Sequence, residues 1–173
     1  VMENAKKITL QLPNGETFAA NLVGVDEKTD IALLKVKNPI NLEAGHFGDS
    51  DAIRVGNQVF AIGNPFGLGN SVSLGIISAK ERDIDKGPYD NFLQTDAAIN
   101  QGNSGGPLFN MDGKIIGMST AIFSEDGKNV GVGFATPSNV VKWVVSQLKQ
   151  NGKVIRGWLG MSVQKVFTKD DTN

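Results

Sequence analysis

Gly102-Asn103-Ser104-Gly105-Gly106-Pro107 is the stretch on which the rest of the chain turns. A serine set among glycines and closed by a proline has the composition of a tight turn that exposes its hydroxyl. Acyl transfer needs such a turn, because backbone N–H groups must converge on the oxygen that gains charge. Gly102 and Ser104 are the candidate pair of N–H donors, since a side chain at 102 obstructs the backbone geometry required. The same six residues also suit an ordinary polar loop between strands, so the flanking sequence must separate the two readings.

Working outward, the flanks are strands. Short β-branched and aliphatic runs alternate with turn signals, and the 21 glycines fit an all-β chain. Lys7–Leu12 and Thr17–Val25 alternate around Pro13-Asn14-Gly15 as a hairpin, and Ile31–Val36 is a denser apolar strand. Further strands are expected at Gln58–Ile62, Val72–Arg82, Phe92–Asp96, Pro107–Phe109, Lys114–Phe123 and Gly131–Ala135. Only Ser138–Gln150 has helical spacing, through Val140, Val141, Val144, Val145 and Leu148, with Ser138 as the expected N-cap and Gly152 as the stop. Gly157–Val163 has the pattern of one more strand.

Thr29-Asp30-Ile31 places an acid at the start of an apolar strand, where a carboxylate is costly unless a partner holds it. Such an acid orients an imidazole and stabilises the imidazolium during proton transfer; its plainer role is that of a turn residue. Together with Ile62-Gly63-Asn64-Pro65-Phe66-Gly67, Gln94–Asn100 leading into the serine turn, and Gly133–Ser138, this segment makes the chain resemble the HtrA/Deg serine proteases from Val1 to about Gly152.

That resemblance implies a chymotrypsin-like fold of two six-stranded β-barrels, the first incomplete here, with a C-terminal helix. It implies a protease domain over residues 1–152, and a linker with the first strand of a PDZ domain over 153–173. Carried over, Ser104 is the nucleophile, Asp30 the orienting acid, and Gly102 with Ser104 the oxyanion donors. The family's histidine precedes the segment that resembles Val1–Ala5 and has no counterpart in this sequence. His46, the single histidine, follows Asp30 in a glycine- and acid-rich connection and has the wrong place in the chain order. Without its base the serine hydroxyl is a poor nucleophile, so this chain alone is expected to turn over very slowly.

The resemblance also puts Ala98 and Ile99 at the base of the side-chain pocket, which implies small or medium aliphatic residues before the cleaved bond and broad specificity. Thr120, Ala121 and Ile122 are the candidate strand for pairing with substrate backbone, although core packing is their ordinary use. Neutral Asn103 cannot form the ion pair with which zymogen-type relatives order the serine turn. Ordering is therefore expected to fall to the loops Asn100–Asn103, Ser124–Asn129 and Phe66–Ser71.

Composition narrows the remaining classes. Lysine plus arginine (17) balance aspartate plus glutamate (18), and the basic residues are scattered, which disfavours nucleic acid. There is no cysteine and no apolar run long enough for a membrane span. No cluster has metal-ligand spacing, and Gly67-Leu68-Gly69-Asn70-Ser71 lacks the endings of phosphate-binding motifs, so no cofactor is expected. The resemblance to the HtrA/Deg proteases implies a parent that is an ATP-independent endopeptidase of the bacterial periplasm acting on unfolded or misfolded polypeptides. It also implies assembly as a homotrimer or a multiple of trimers. The alternative is a non-enzymatic chaperone or peptide-binding module on the same fold.

Overall fold

The computed structural model describes residues 5, 7–37, 42–122, 129–158 and 160–161. Three strands, β1 (Ile8–Gln11), β2 (Thr17–Asp26) and β3 (Ile31–Val36), form an antiparallel sheet in chain order. Six more close a barrel in the order β4-β5-β6-β9-β8-β7, with β4 at Gln58–Gly63, β5 at Ser71–Arg82, β6 at Phe92–Thr95, β7 at Pro107–Asn110, β8 at Ile115–Ile122 and β9 at Gly133–Pro137. Helix α1 spans Ser138–Asn151. The expected mostly β architecture, with a closed six-stranded barrel and one C-terminal helix, is therefore present, and the first three strands form a separate sheet.

Alternation explains the barrel. Val59, Ala61, Ile77, Leu93, Leu108 and Ile116 point inward as one buried cluster, while their strand neighbours face out. Helix α1 seats the sheet on the barrel: Val141, Val144 and Leu148 pack on Ile31, with Leu33 and Met118 against them. Each such buried aliphatic side chain contributes about 2 kcal/mol, so α1 is the main adhesive between the two parts.

Two sequence expectations are corrected, and a third is left open. Ser138 is not the N-cap: Pro137 holds that position with φ −58 and ψ 142, and Ser138 is the first helical residue. Its hydroxyl instead donates to the Gly48 carbonyl, and the first turn is served by Ser50 Oγ, which accepts the Asn139 N–H at 3.1 Å. A cap contributed from another segment leaves no local sequence signal. The last strand starts at Gly133 rather than Gly131, because Gly131 sits at φ 83 and its N–H donates to Asn129 Oδ1. The expected strand Gly157–Val163 falls partly outside the described residues, and Gly157, Trp158, Gly160 and Met161 have no regular structure.

Candidate active site

The serine turn lies between β6 and β7 and docks on β8. Gly105 N–H donates to the Ser119 carbonyl at 2.7 Å, and Ser119 N–H donates to the Gly106 carbonyl at 2.8 Å. Within the turn, Asn103 N–H goes to Asn100 O at 3.0 Å and Gly106 N–H to Asn103 O at 2.9 Å. Of the five amides from 102 to 106, only those of Gly102 and Ser104 find no acceptor among the described residues. Ser104 itself is exposed.

The loop after β4 sets the orientation of the first of these amides. Phe66 N–H donates to the Gln101 carbonyl at 2.9 Å. In a planar trans peptide the C=O and N–H point in opposite directions, so fixing Gln101 O turns Gly102 N–H away from that loop. Glycine is required at 102 for two reasons: φ is +101, and a Cβ would overlap the Asn64 carbonyl.

Asp30 is placed differently from the expected buried strand start. It is exposed, closes the Glu27–Asp30 turn between β2 and β3, and adopts φ 54. Aspartate tolerates this left-handed conformation better than most residues, and the apolar run begins only with Ile31, which is 2 % exposed. Asp30 opens onto a cleft of about 200 Å³ whose walls include Lys28, Tyr89, Asp90, Thr120 and Thr136. Thr120 follows Ser119 on β8, so the turn that carries Asp30 and the turn that carries Ser104 are brought to one stretch of the same strand.

The other sequence candidates divide between surface and interior. Ala98 is exposed, and its carbonyl accepts Ser73 Oγ at 2.8 Å. Ile99 is 1 % exposed, facing Gly133, and its carbonyl accepts Asn129 Nδ2 at 2.8 Å. Thr120 Oγ lies 2.7 Å from Thr136 Oγ. Ala121 is buried beside Phe92 and Phe134, and Ile122 pairs with Gly133. On its other side β8 runs past its last β7 partner, the pair Pro107–Met118, so the backbone from Thr120 to Ile122 has no strand neighbour there among the described residues. Of the loop Ser124–Asn129, only Asn129 falls within the described residues.

His46 is exposed, and its carbonyl accepts Ile115 N–H at 2.8 Å, which ties it to the start of β8. Four residues of strand, about 13 Å, separate Ile115 from Ser119. The His46 backbone is thus anchored at the far end of the strand from the serine turn.

One arrangement was not legible from sequence. Arg156 grips Asp26 through two hydrogen bonds, Nη1 to Oδ1 at 2.7 Å and Nη2 to Oδ2 at 2.5 Å, and its guanidinium lies 4.4 Å from the centroid of Tyr89. Thr29 Oγ1 donates to the same carboxylate at 2.6 Å. The Arg156 hydrogen bonds, above all, hold the Asp26 carboxyl below the usual carboxylate range. Asp26 therefore braces the turn that ends in Asp30, using a residue from beyond α1.

Comparisons with known proteins agree with this fold. Residues 1–118 match the trypsin-like peptidase domain family. A probable periplasmic serine endoprotease DegP-like of Rickettsia prowazekii (strain Madrid E) is 55% identical over 168 residues, which is 95% of this chain and 33% of that protein. The periplasmic serine endoprotease DegP of Escherichia coli (strain K12) is 53% identical over 162 residues, 93% of this chain and 34% of that protein. The chain thus spans about a third of the length of these curated relatives. Among solved structures, the HtrA-type protease AlgW with decapeptide superposes with a TM-score of 0.92 at 46% identity, over 98% of this chain and 52% of that one. Closed barrel, serine turn and matched sequence together place this chain in the trypsin-like peptidase domain family, as a homologue of the DegP/HtrA proteases.

Proposed function

We propose that residues 1–152 are the greater part of the catalytic domain of an ATP-independent serine endopeptidase that cleaves unfolded polypeptides. In this reading Ser104 Oγ attacks the scissile carbonyl and passes its proton to a histidine contributed from outside this sequence. The Gly102 and Ser104 amides bind the resulting oxyanion, and Asp30 orients the imidazole and stabilises its charged form. The imidazolium then protonates the leaving amine, and water hydrolyses the acyl-enzyme by the reverse sequence of proton transfers. The observation that carries the proposal is the pair of uncommitted amides at Gly102 and Ser104, since every other amide of the turn is spent on the fold. Each such donor, in place before the charge develops, lowers the barrier by about 3 kcal/mol.

Substrate fits the open stretch of β8. An extended polypeptide adds to Thr120–Ile122 by strand pairing, which selects for unfolded chains. In the same reading Ala98 and Ile99 set a preference for a small or medium aliphatic side chain before the cleaved bond, with Ala98 exposed and Ile99 buried against Gly133. The names of the relatives support a periplasmic setting; a role in envelope protein quality control is part of the same proposal. Residues 153–173 are read as a linker and the first strand of a PDZ domain, and assembly as a homotrimer or a multiple of trimers completes the proposal.

A fluorophosphonate probe on the full-length protein tests it. Labelling is expected, with complete loss on Ser104→Ala. A folded native protein that stays unlabelled would overturn the proteolytic reading and leave the peptide-binding alternative.

A further inference from the structure

Among the described residues two buried side-chain atoms lack a hydrogen-bonding partner, Asn103 Oδ1 and Ser119 Oγ, and both flank the serine turn. Buried polar groups are normally satisfied, so an orphan beside the nucleophile calls for an explanation. Asn103 directly precedes Ser104 and is 4 % exposed. Its own N–H and C=O close the turn through Asn100 and Gly106. Its side chain reaches back across the loop, Nδ2 donating to the Ala98 carbonyl at a long 3.4 Å. On the opposite side it rests against the end of β4, where a Cβ on Gly63 would overlap Oδ1 and lie 2.6 Å from Cγ.

We infer that Asn103 is a positioning residue, a neutral latch that wedges between Gly63 and the Ala98 carbonyl and thereby fixes the Gly102 and Ser104 amides. The inference rests on the proteolytic reading of Ser104. Charge neutrality is intrinsic to the device. The residues that meet Asn103 by hydrogen bond or close approach, namely Ala98 and Asn100 of the preceding loop, Gly63 of β4 and Gly106 of the turn, have no titratable side chain. A carboxylate at 103 would be buried without a cation and would face the Ala98 oxygen, which repels it. A protonated aspartic acid, close to asparagine in shape, would donate to that oxygen again.

The test compares fluorophosphonate labelling rates of the full-length native protein, Asn103→Asp and Asn103→Ala, with Ser104→Ala as blank and thermal unfolding recorded for each. Rates are expressed as variant over native at each pH, which cancels the loss of the catalytic base in acid. At about pH 8 Asn103→Asp is expected to label roughly thirtyfold more slowly than native, from misplaced oxyanion donors. Its ratio should climb about tenfold by about pH 5.5 as the buried carboxyl takes up its proton, while that of Asn103→Ala stays low and flat. A merely structural defect has no reason to reverse with acid.

Gly63→Ala should slow labelling about tenfold in the native background and less in Asn103→Ala, since the two closest clashes are with Oδ1 and Cγ of the side chain and only the contact with the Asn103 Cα, at 2.9 Å, is common to both backgrounds. The inference is overturned if the Asn103→Asp ratio is flat with pH, or if Asn103→Ala labels within about threefold of native. Should Asn103→Asp fail to fold, the Asn103→Ala rate and the Gly63 double-mutant comparison decide. A native protein that does not label refutes the proteolytic reading itself, a result distinct from normal labelling in the variants.

Discussion

In the closed barrel every strand from β4 to β9 pairs on both sides, and Val59, Ile77, Leu108 and Ile116 are sealed from solvent. In the three-stranded sheet only β2 has two neighbours, and Leu22, Val23 and Val25 remain exposed. Each part carries one candidate residue. Ser104 stands on a turn whose amides are spent within the turn or on β8, except for the two left over. Asp30 stands on a turn secured by tethers: α1 packed on Ile31, and Arg156 on Asp26. The same site is thus half built by closure and half by attachment, and the two halves should fail in different ways.

The largest expected effect tests the half built by closure. Gly102→Ala must give up φ +101 and displace the Asn64 carbonyl, so labelling of Ser104 should fall about 10²- to 10³-fold, as when one oxyanion donor is removed, with a stability loss of about 1–3 kcal/mol from the strained turn. A drop of less than tenfold would mean that this amide binds nothing in the reaction. Next comes the attachment. Leu148→Ala leaves a cavity under the sheet and should cost about 3 kcal/mol in denaturant unfolding. Amide exchange should then accelerate in β1–β3 more than in β4–β9; uniform acceleration would show that sheet and barrel unfold as one unit.

The smallest effect concerns the outer tether. Arg156→Ala should cost about 2 kcal/mol near neutral pH, because the bidentate hydrogen bonds to Asp26 are lost. The sign with pH follows from the depressed carboxyl. Its stabilisation is fully present above the ordinary value of about 3.8 and is lost as pH falls through the lower folded value. The gap between native and variant should therefore be constant near neutrality and shrink below about pH 4. A gap that widens in acid would assign the carboxylate's depression to something other than Arg156.

What was legible in the sequence was local. Alternation in Thr17–Val25 and Ile31–Val36, the helical spacing from Val140 to Leu148, and the glycines around Ser104 each report on neighbours a few residues away. What was not legible depends on partners distant along the chain. Asp26 and Arg156 lie 130 residues apart, the helix is capped by Ser50, and the wedge under Asn103 needs Gly63 at the end of another strand. Asn103 could be recognised from sequence as uncharged, but its burial could not. The continuous apolar run after Asp30 suggests a buried carboxylate, yet the plainer turn role also open to it prevails in part: the turn leaves Asp30 exposed one residue before that run is covered.

The left-handed backbone of Asp30 bears on how any substitution there must be interpreted. Alanine would delete the carboxylate and at the same time burden the peptide with a conformation it tolerates poorly, so chemistry and geometry would be lost together. Asparagine accepts the same torsion and removes only the charge, which makes Asp30→Asn the informative exchange and the alanine variant an overestimate of what the acid contributes.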